Sequence, residues 1–225
     1  MLQTRTVEAK TLQLLKELQA KPYMSDFKLA GDTALSLYIG HRKSIDLDLF
    51  VPHPFNTSEL AQKIGTDFCF NKTYEESNTL KGFISDIKLD LTTYRYVDIA
   101  SSYEEDGLRL YSIEDIIAMK LSAISGNGTR LKDFVDLAFL SKHYSLSQML
   151  SFYMKKFEAS SEFIPLKALT YFNDIDFNES VILLNGSFRW KNVQRRLVDM
   201  SKNQYKVFPT YPISIQTSQK RGIRL

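Results

Sequence analysis

Apolar positions in residues 4–20, Val7, Leu12, Leu14, Leu15 and Leu18 among them, are spaced mostly three and four apart, which predicts a helix on the outside of the fold. Lys21-Pro22 ends it, because the residue before a proline disfavours helical backbone. The stretch Phe27–Phe50 then reads as strand, glycine turn, short helix over Thr33–Ile39, glycine stop and second strand. Gly31 supplies the turn and Gly40 suits a left-handed helix end. In the second strand Ile45, Leu47 and Leu49 are expected to face a core, with Ser44, Asp46 and Asp48 on the other face.

A helix over Leu60–Gly65 follows, with Thr57 or Ser58 as its N-cap. Strands are expected over Phe68–Tyr74 and Leu80–Ile84. The clearest alternation is Asp86–Tyr94, with Ile87, Leu89 and Leu91 inward and Asp86, Lys88 and Asp90 outward. From Tyr111 the pattern changes to helices throughout: 111–124 capped by Ser112, 130–140, 145–157, an interrupted one over 163–172, and 190–200. Strands first and helices afterwards define an α+β protein.

Composition adds three constraints. With 225 residues, 44% hydrophobic and 24% charged, the chain is an ordinary soluble globular one. Its single cysteine, Cys69, excludes an internal disulfide framework or cysteine metal cluster, and no stable disulfide partner is expected. No apolar run reaches the ~20 residues of a membrane span, so a cytoplasmic protein with no membrane partner is expected. The net charge of +3 conceals an asymmetry: residues 187–225 hold nine basic side chains and one acid, Asp199. Such an end suits a polyanion such as RNA, or an acidic protein surface.

The candidate chemistry centres on carboxylates. Asp46 and Asp48 on one strand face repel unless a cation lies between them, and Mg²⁺ takes one or two protein carboxylates, completing its shell with water and phosphates. If the strand at 86–94 lies alongside, Asp90 joins them, and three carboxylates can hold two Mg²⁺ ions. A solvated acidic face is the competing reading of any lone Asp-x-Asp. Backbone N–H groups after Gly31 form an anion site suited to phosphate. Arg42 suits either a phosphate contact or a cation at the preceding helix's C-terminus. Lys120 falls inside an apolar helical stripe, where its ammonium either reaches the carboxylates or a triphosphate, or snorkels to solvent. Lys132 and Asp136 read as a surface i, i+4 pair, and Asp133 as a partner for Lys120 or Arg130.

Several runs resemble the AbiEii/AbiGii-type nucleotidyltransferases, toxins of toxin–antitoxin and abortive-infection systems related to the MenT toxins. They are Leu-Ala-Gly-Asp-Thr-Ala-Leu at 29–35, Gly-His-Arg-Lys-Ser-Ile-Asp-Leu-Asp-Leu-Phe at 40–50, Lys-Leu-Asp at 88–90, Glu114–Ala123 and Arg130–Leu137. Leu169–Asp174 and Trp190 resemble later landmarks. The resemblance implies a nucleotidyltransferase-fold domain over 1–110 and a helical domain over 111–200 that closes the cleft; from its charge, 201–225 reads as a basic, solvated tail. It also implies transfer of a nucleoside monophosphate from an NTP to RNA, with a tRNA 3′ end as acceptor, pyrophosphate as leaving group and a cognate antitoxin encoded nearby.

By motif match, Asp46, Asp48 and Asp90 are the metal and catalytic carboxylates, and Lys120 and Asp133 belong to the helical half of the site. The expected nucleotide-binding set is Gly31, Asp32, Thr33, Arg42, Ser44, Lys120 and Arg130. Asp32 departs from the pattern, which has Gly or Ser there. Its charge near the phosphate path is expected to weaken NTP binding unless it turns away or caps the helix. A non-catalytic NTP-binding or interaction protein of the same fold, and an enzyme that nucleotidylates protein, are the alternatives.

Overall fold

The alternating segments come together in one seven-stranded sheet in the computed structural model, which describes residues 1–159 and 161–213. Helix α1 (Ala9–Gln19) precedes a two-residue strand β1 (Lys28–Leu29), helix α2 (Gly31–Ile39) and strand β2 (Leu47–Val51). Helix α3 (Thr57–Phe68) leads to β3 (Asn71–Glu76), β4 (Thr79–Ile84) and β5 (Ile87–Thr93). Two three-residue strands, β6 (Tyr103–Glu105) and β7 (Leu108–Leu110), complete the sheet in the order β3-β4-β5-β2-β1-β7-β6. Leu47, Leu49, Leu89 and Leu91 are fully buried on its inner face. Each such side chain stabilises the fold by roughly 1.5–3 kcal/mol.

Helices then take over two residues after the expected change at Tyr111: α4 (Ile113–Gly126), α5 (Leu131–Leu140), α6 (Leu146–Phe157), α7 (Phe163–Ala168) and α8 (Trp190–Lys202). The Ser112 hydroxyl accepts from the Asp115 N–H at 3.0 Å, as expected of an N-cap. Ser145 and Gln148 form a reciprocal capping box on α6. Helix α4 is the hub, packing against α2, α5, α6 and α7. A buried Lys156–Asp115 pair at 2.6 Å ties α6 to α4.

Several local expectations are corrected. Ile45 is 60% exposed, not core. The ladder reaches back only to Leu47, opposite Leu89, while β1 pairs no further than Leu29 with Leu49, so residue 45 has no sheet to face. Asp86 also leaves the site face, lying in the β4–β5 turn and pairing with Lys10 at 2.5 Å. The α3 cap is Asn56, whose side chain accepts from Glu59 N–H at 3.1 Å. The hydroxyls of Thr57 and Ser58 instead donate to Glu75, at 3.0 and 2.6 Å. Of the basic tail expected over 201–225, residues 214–225 lie outside the described residues. The part before them packs: Phe208 is buried beneath the Arg196 guanidinium at 4.3 Å, and Tyr211 stacks on Phe139 at 5.2 Å.

Candidate active site

Parallel strands β2 and β5 set Asp48 directly opposite Asp90, so both carboxylates leave the same face of the sheet side by side. Asp46 lies two residues before Asp48, ahead of β2; its backbone carbonyl accepts from the Thr33 hydroxyl, which is also 2.8 Å from the Ser44 hydroxyl. Thr33 and Ser44 therefore hold the α2–β2 connection together from within.

Gly31 closes the other side. Its φ is +65°, and a Cβ there would overlap the Asp48 Oδ2 atom, so glycine is required twice over. This brings the N-terminus of α2 against the Asp48 carboxylate.

The electrostatics of the carboxylate pair call for a cation. Burial, reinforced by the charges of Asp32 and Asp90, pushes Asp48 up to about 6. Asp90 Oδ1 is buried with no hydrogen-bond partner among the described residues. Its Oδ2 receives Lys88 Nζ at 3.0 Å and lies 3.4 Å from Lys81 Nζ. Burial works against the Lys88 charge, but its hydrogen bond to Asp90 and the charges of Asp90, Asp46 and Asp48 hold its pKa up. An oxygen-only donor set with a buried unpaired oxygen fits Mg²⁺.

A second group of carboxylates, Asp32, Asp133 and Asp136, also converges, with oxygens within 4.8 Å of one another. Its counter-charge is already present. Lys120 Nζ lies 2.7 Å from both Asp133 Oδ1 and Asp136 Oδ2 and pairs with Asp32 as well. Arg42 grips Asp136 through Nε at 2.7 Å and Nη2 at 2.8 Å, and reaches Asp32 at 3.1 Å. Arg130 Nη2 meets Asp32 at 3.2 Å. Three carboxylates against three cations make a closed network joining α2, α4 and α5.

Burial opposes charge throughout this network; the partners decide the outcome for Asp32, Asp136, Lys120 and Arg42, whereas burial pushes Asp133 above its ordinary value. Asp32 and Asp136 are held below the usual carboxylate range by Lys120 and Arg42. Lys120 and Arg42 are held above their ordinary values by the carboxylates around them. Burial pushes His41 down, so its neutral ring donates Nε2–H to Asp136 at 2.8 Å.

These contacts show where the side chains turn. Asp32 turns inward to three cations, and Lys120 serves the carboxylates. Arg42, 1% exposed, is neither a surface helix cation nor turned towards solvent. Asp136 is completely buried, not a surface partner of Lys132, which pairs with Glu179 at 3.2 Å.

A cleft of about 280 Å³ lies where the two groups meet, lined on its charged side by Gly31, Asp48, Lys120, Arg130 and Asp133. Its apolar side is formed by Phe50, Tyr94, Ile116 and Met119, with Ser122 among them. Phe50 and Tyr94 stack at 5.3 Å. Phe50 shares the strand face of Asp48, a signal that alternation carried and that went unread. A larger cavity of about 490 Å³ beside α7 has a single carboxylate, Asp174, and lacks this donor set.

With this geometry in view, the comparisons with known proteins are specific. The family model described as "Nucleotidyl transferase AbiEii toxin, Type IV TA system" matches residues 83–208. An uncharacterised protein of Aquifex aeolicus (strain VF5), aq_aa25, is 31% identical over 176 residues, covering 76% of this chain and 85% of that one. MenT4, the nucleotidyltransferase toxin Rv2826c of Mycobacterium tuberculosis H37Rv, superposes with a TM-score of 0.54 at 12% identity, over 89% of this chain and 88% of that one. JHP933 of Helicobacter pylori gives 0.53 at 19% identity, over 88% and 93%. Both share the fold.

Proposed function

The chain belongs to the AbiEii nucleotidyl transferase toxin family, and on that premise we propose that it moves a nucleoside monophosphate from an NTP onto RNA, at a tRNA 3′ end, releasing pyrophosphate. The observation that carries this reading is the in-register placement of Asp48 and Asp90 against the Gly31 turn at the start of α2.

Asp48 and Asp90, with Asp46 beside them, would hold Mg²⁺. When bound, the metal supplies charge for the triphosphate and activation of the attacking hydroxyl. The N–H groups at the start of α2 receive phosphate oxygens, and Gly31 lets them come close. Asp32 does not oppose this, because its charge is matched by Lys120, Arg42 and Arg130. Arg130, whose side chain is 56% exposed, is the cation at the cleft rim with freedom to follow a phosphate. The Phe50–Tyr94 wall offers a flat apolar surface to the base.

Lys120, Arg42 and Asp136 act through position. They lock α2 and α5 to α4, and so fix the Gly31 turn relative to the cleft. As a family toxin, the protein is expected to be restrained by an antitoxin. The test is purified protein with each of the four labelled NTPs, Mg²⁺ and total tRNA: one NTP should label RNA. NTP binding with no label under any combination would refute the reading.

A further inference from the structure

Helix α8 carries a line of cations that form no ion pair among the described residues, its one acid being Asp199, four residues after Arg195. Val193, Leu197 and Met200 are its buried face. At ~100° per residue, Lys191, Arg195 and Lys202 fall within ~40° of one another on the opposite side. All three are exposed, as are Arg189 before the helix and Lys206 after it. Among the described residues, none of these five forms an ion pair, and what sets them apart from other unpaired surface cations is that three share one helix face. Like charges in a row repel, so this stripe weakens the helix slightly until an anion meets it.

The stripe also points somewhere. Arg130 at the cleft rim bridges to Asp176; the next residue, Phe177, packs on Trp190 at 5.3 Å, and Trp190 begins α8. Farther along, Arg196 reaches the Ser141 hydroxyl, past the C-terminal end of α5, at 2.8 Å. The helix therefore runs outward beside α5 from the cleft end, and its cations extend ~16 Å from Lys191 to Lys202. Tyr205, 87% exposed, stands between Lys202 and Lys206 as a stacking surface for a base.

We propose that the Lys191–Arg195–Lys202 stripe binds the phosphodiester backbone of the RNA acceptor and leads its end to the cleft. The proposal rests on the reading that the acceptor is RNA. A row of cations this long suits a repeating anion and exceeds what one NTP can occupy.

The test uses full-length protein, a fluorescein-labelled single-stranded RNA ten-mer and total tRNA, titrated by anisotropy across about 50–200 mM salt. For the exposed triple variant K191Q/R195Q/K202Q, RNA affinity should fall at least tenfold and NTP affinity should stay within twofold of wild type. Each single-strand phosphate contact contributes about 0.7 to the salt slope, so the slope should flatten by about 2. Over a fourfold rise in salt, wild type should then lose roughly twentyfold more affinity than the variant. Y205A should weaken binding with no change of slope.

Wild-type RNA affinity and slope in the triple variant would overturn the stripe while leaving the RNA-acceptor reading standing. Wild-type protein that binds NTP but no RNA would overturn both. Loss of poly-glutamate binding with RNA binding retained would overturn the proposal in favour of an acidic protein partner.

Discussion

Replacing Lys120 by methionine tests the buried network at its centre. Lys120 is 4% exposed and its ammonium touches Asp32, Asp133 and Asp136, so the change leaves one uncompensated negative charge inside the protein. Removing one partner of a buried ion pair costs roughly 3–5 kcal/mol. For a chain of this size each kcal/mol shifts the melting temperature by about 2–4 °C, so a fall on the order of 10 °C is expected at pH 7.

The effect has a pH signature. In the wild type Asp32 and Asp136 titrate below their unfolded value of about 3.9 because Lys120 and Arg42 outweigh burial. Their stabilisation is present above about pH 4 and is lost as pH falls through the folded values. Without Lys120 the folded values rise and the folded state takes up protons. The deficit should therefore be greatest near pH 7 and narrow as pH falls towards 4. Lys120→Met with Asp133→Asn restores the charge balance and should recover most of the loss. Thermal melts across pH measure all of this. A fall of under about 3 °C at pH 7, or a deficit independent of pH, would refute the network, and a large loss of NTP affinity at unchanged stability would make Lys120 a phosphate ligand instead.

Three further outcomes follow from the same geometry. Gly31→Ala puts a Cβ onto Asp48 and forces alanine to a φ of +65°, which costs ~1–2 kcal/mol before any clash, so transfer measured with labelled NTP should fall at least tenfold. Asp32→Ser restores the small residue of the family pattern but unbalances three cations; stability from thermal melts should drop by an amount on the order of 3 kcal/mol, with no gain in NTP affinity by titration. Asp48, raised to about 6 by burial and then by Asp32 and Asp90, favours the folded state below about pH 4 and loses that contribution as pH rises through 6. Mg²⁺ should accordingly raise the melting temperature clearly above pH 7 and little near pH 5, as thermal melts with and without the metal will show.

Much of this was legible in the chain. Alternation over 86–94 marked Asp90, and the Gly31 and Gly40 punctuation marked α2, because those signals are local. Register was not. That Asp90 stands opposite Asp48 depends on β5 pairing parallel to β2, across a connection that also contains α3, β3 and β4. Nor could i, i+4 spacing reveal that Asp136 turns inward, since its partners His41 and Arg42 lie ninety-five and ninety-four residues away. Strands β6 and β7 were missed because three residues give no period to read. The Asp32 departure looked like a liability in one dimension; in three it is the counter-ion of Lys120.

The most direct measurement is nucleotide transfer by Asp48→Asn, a change that keeps the side chain's shape and removes its charge. With labelled NTP, Mg²⁺ and total tRNA, wild type should label RNA, while the variant, folded and still binding NTP, should label none above background. Wild-type labelling by the variant would contradict the assignment of Asp48 and Asp90 as the metal-binding pair.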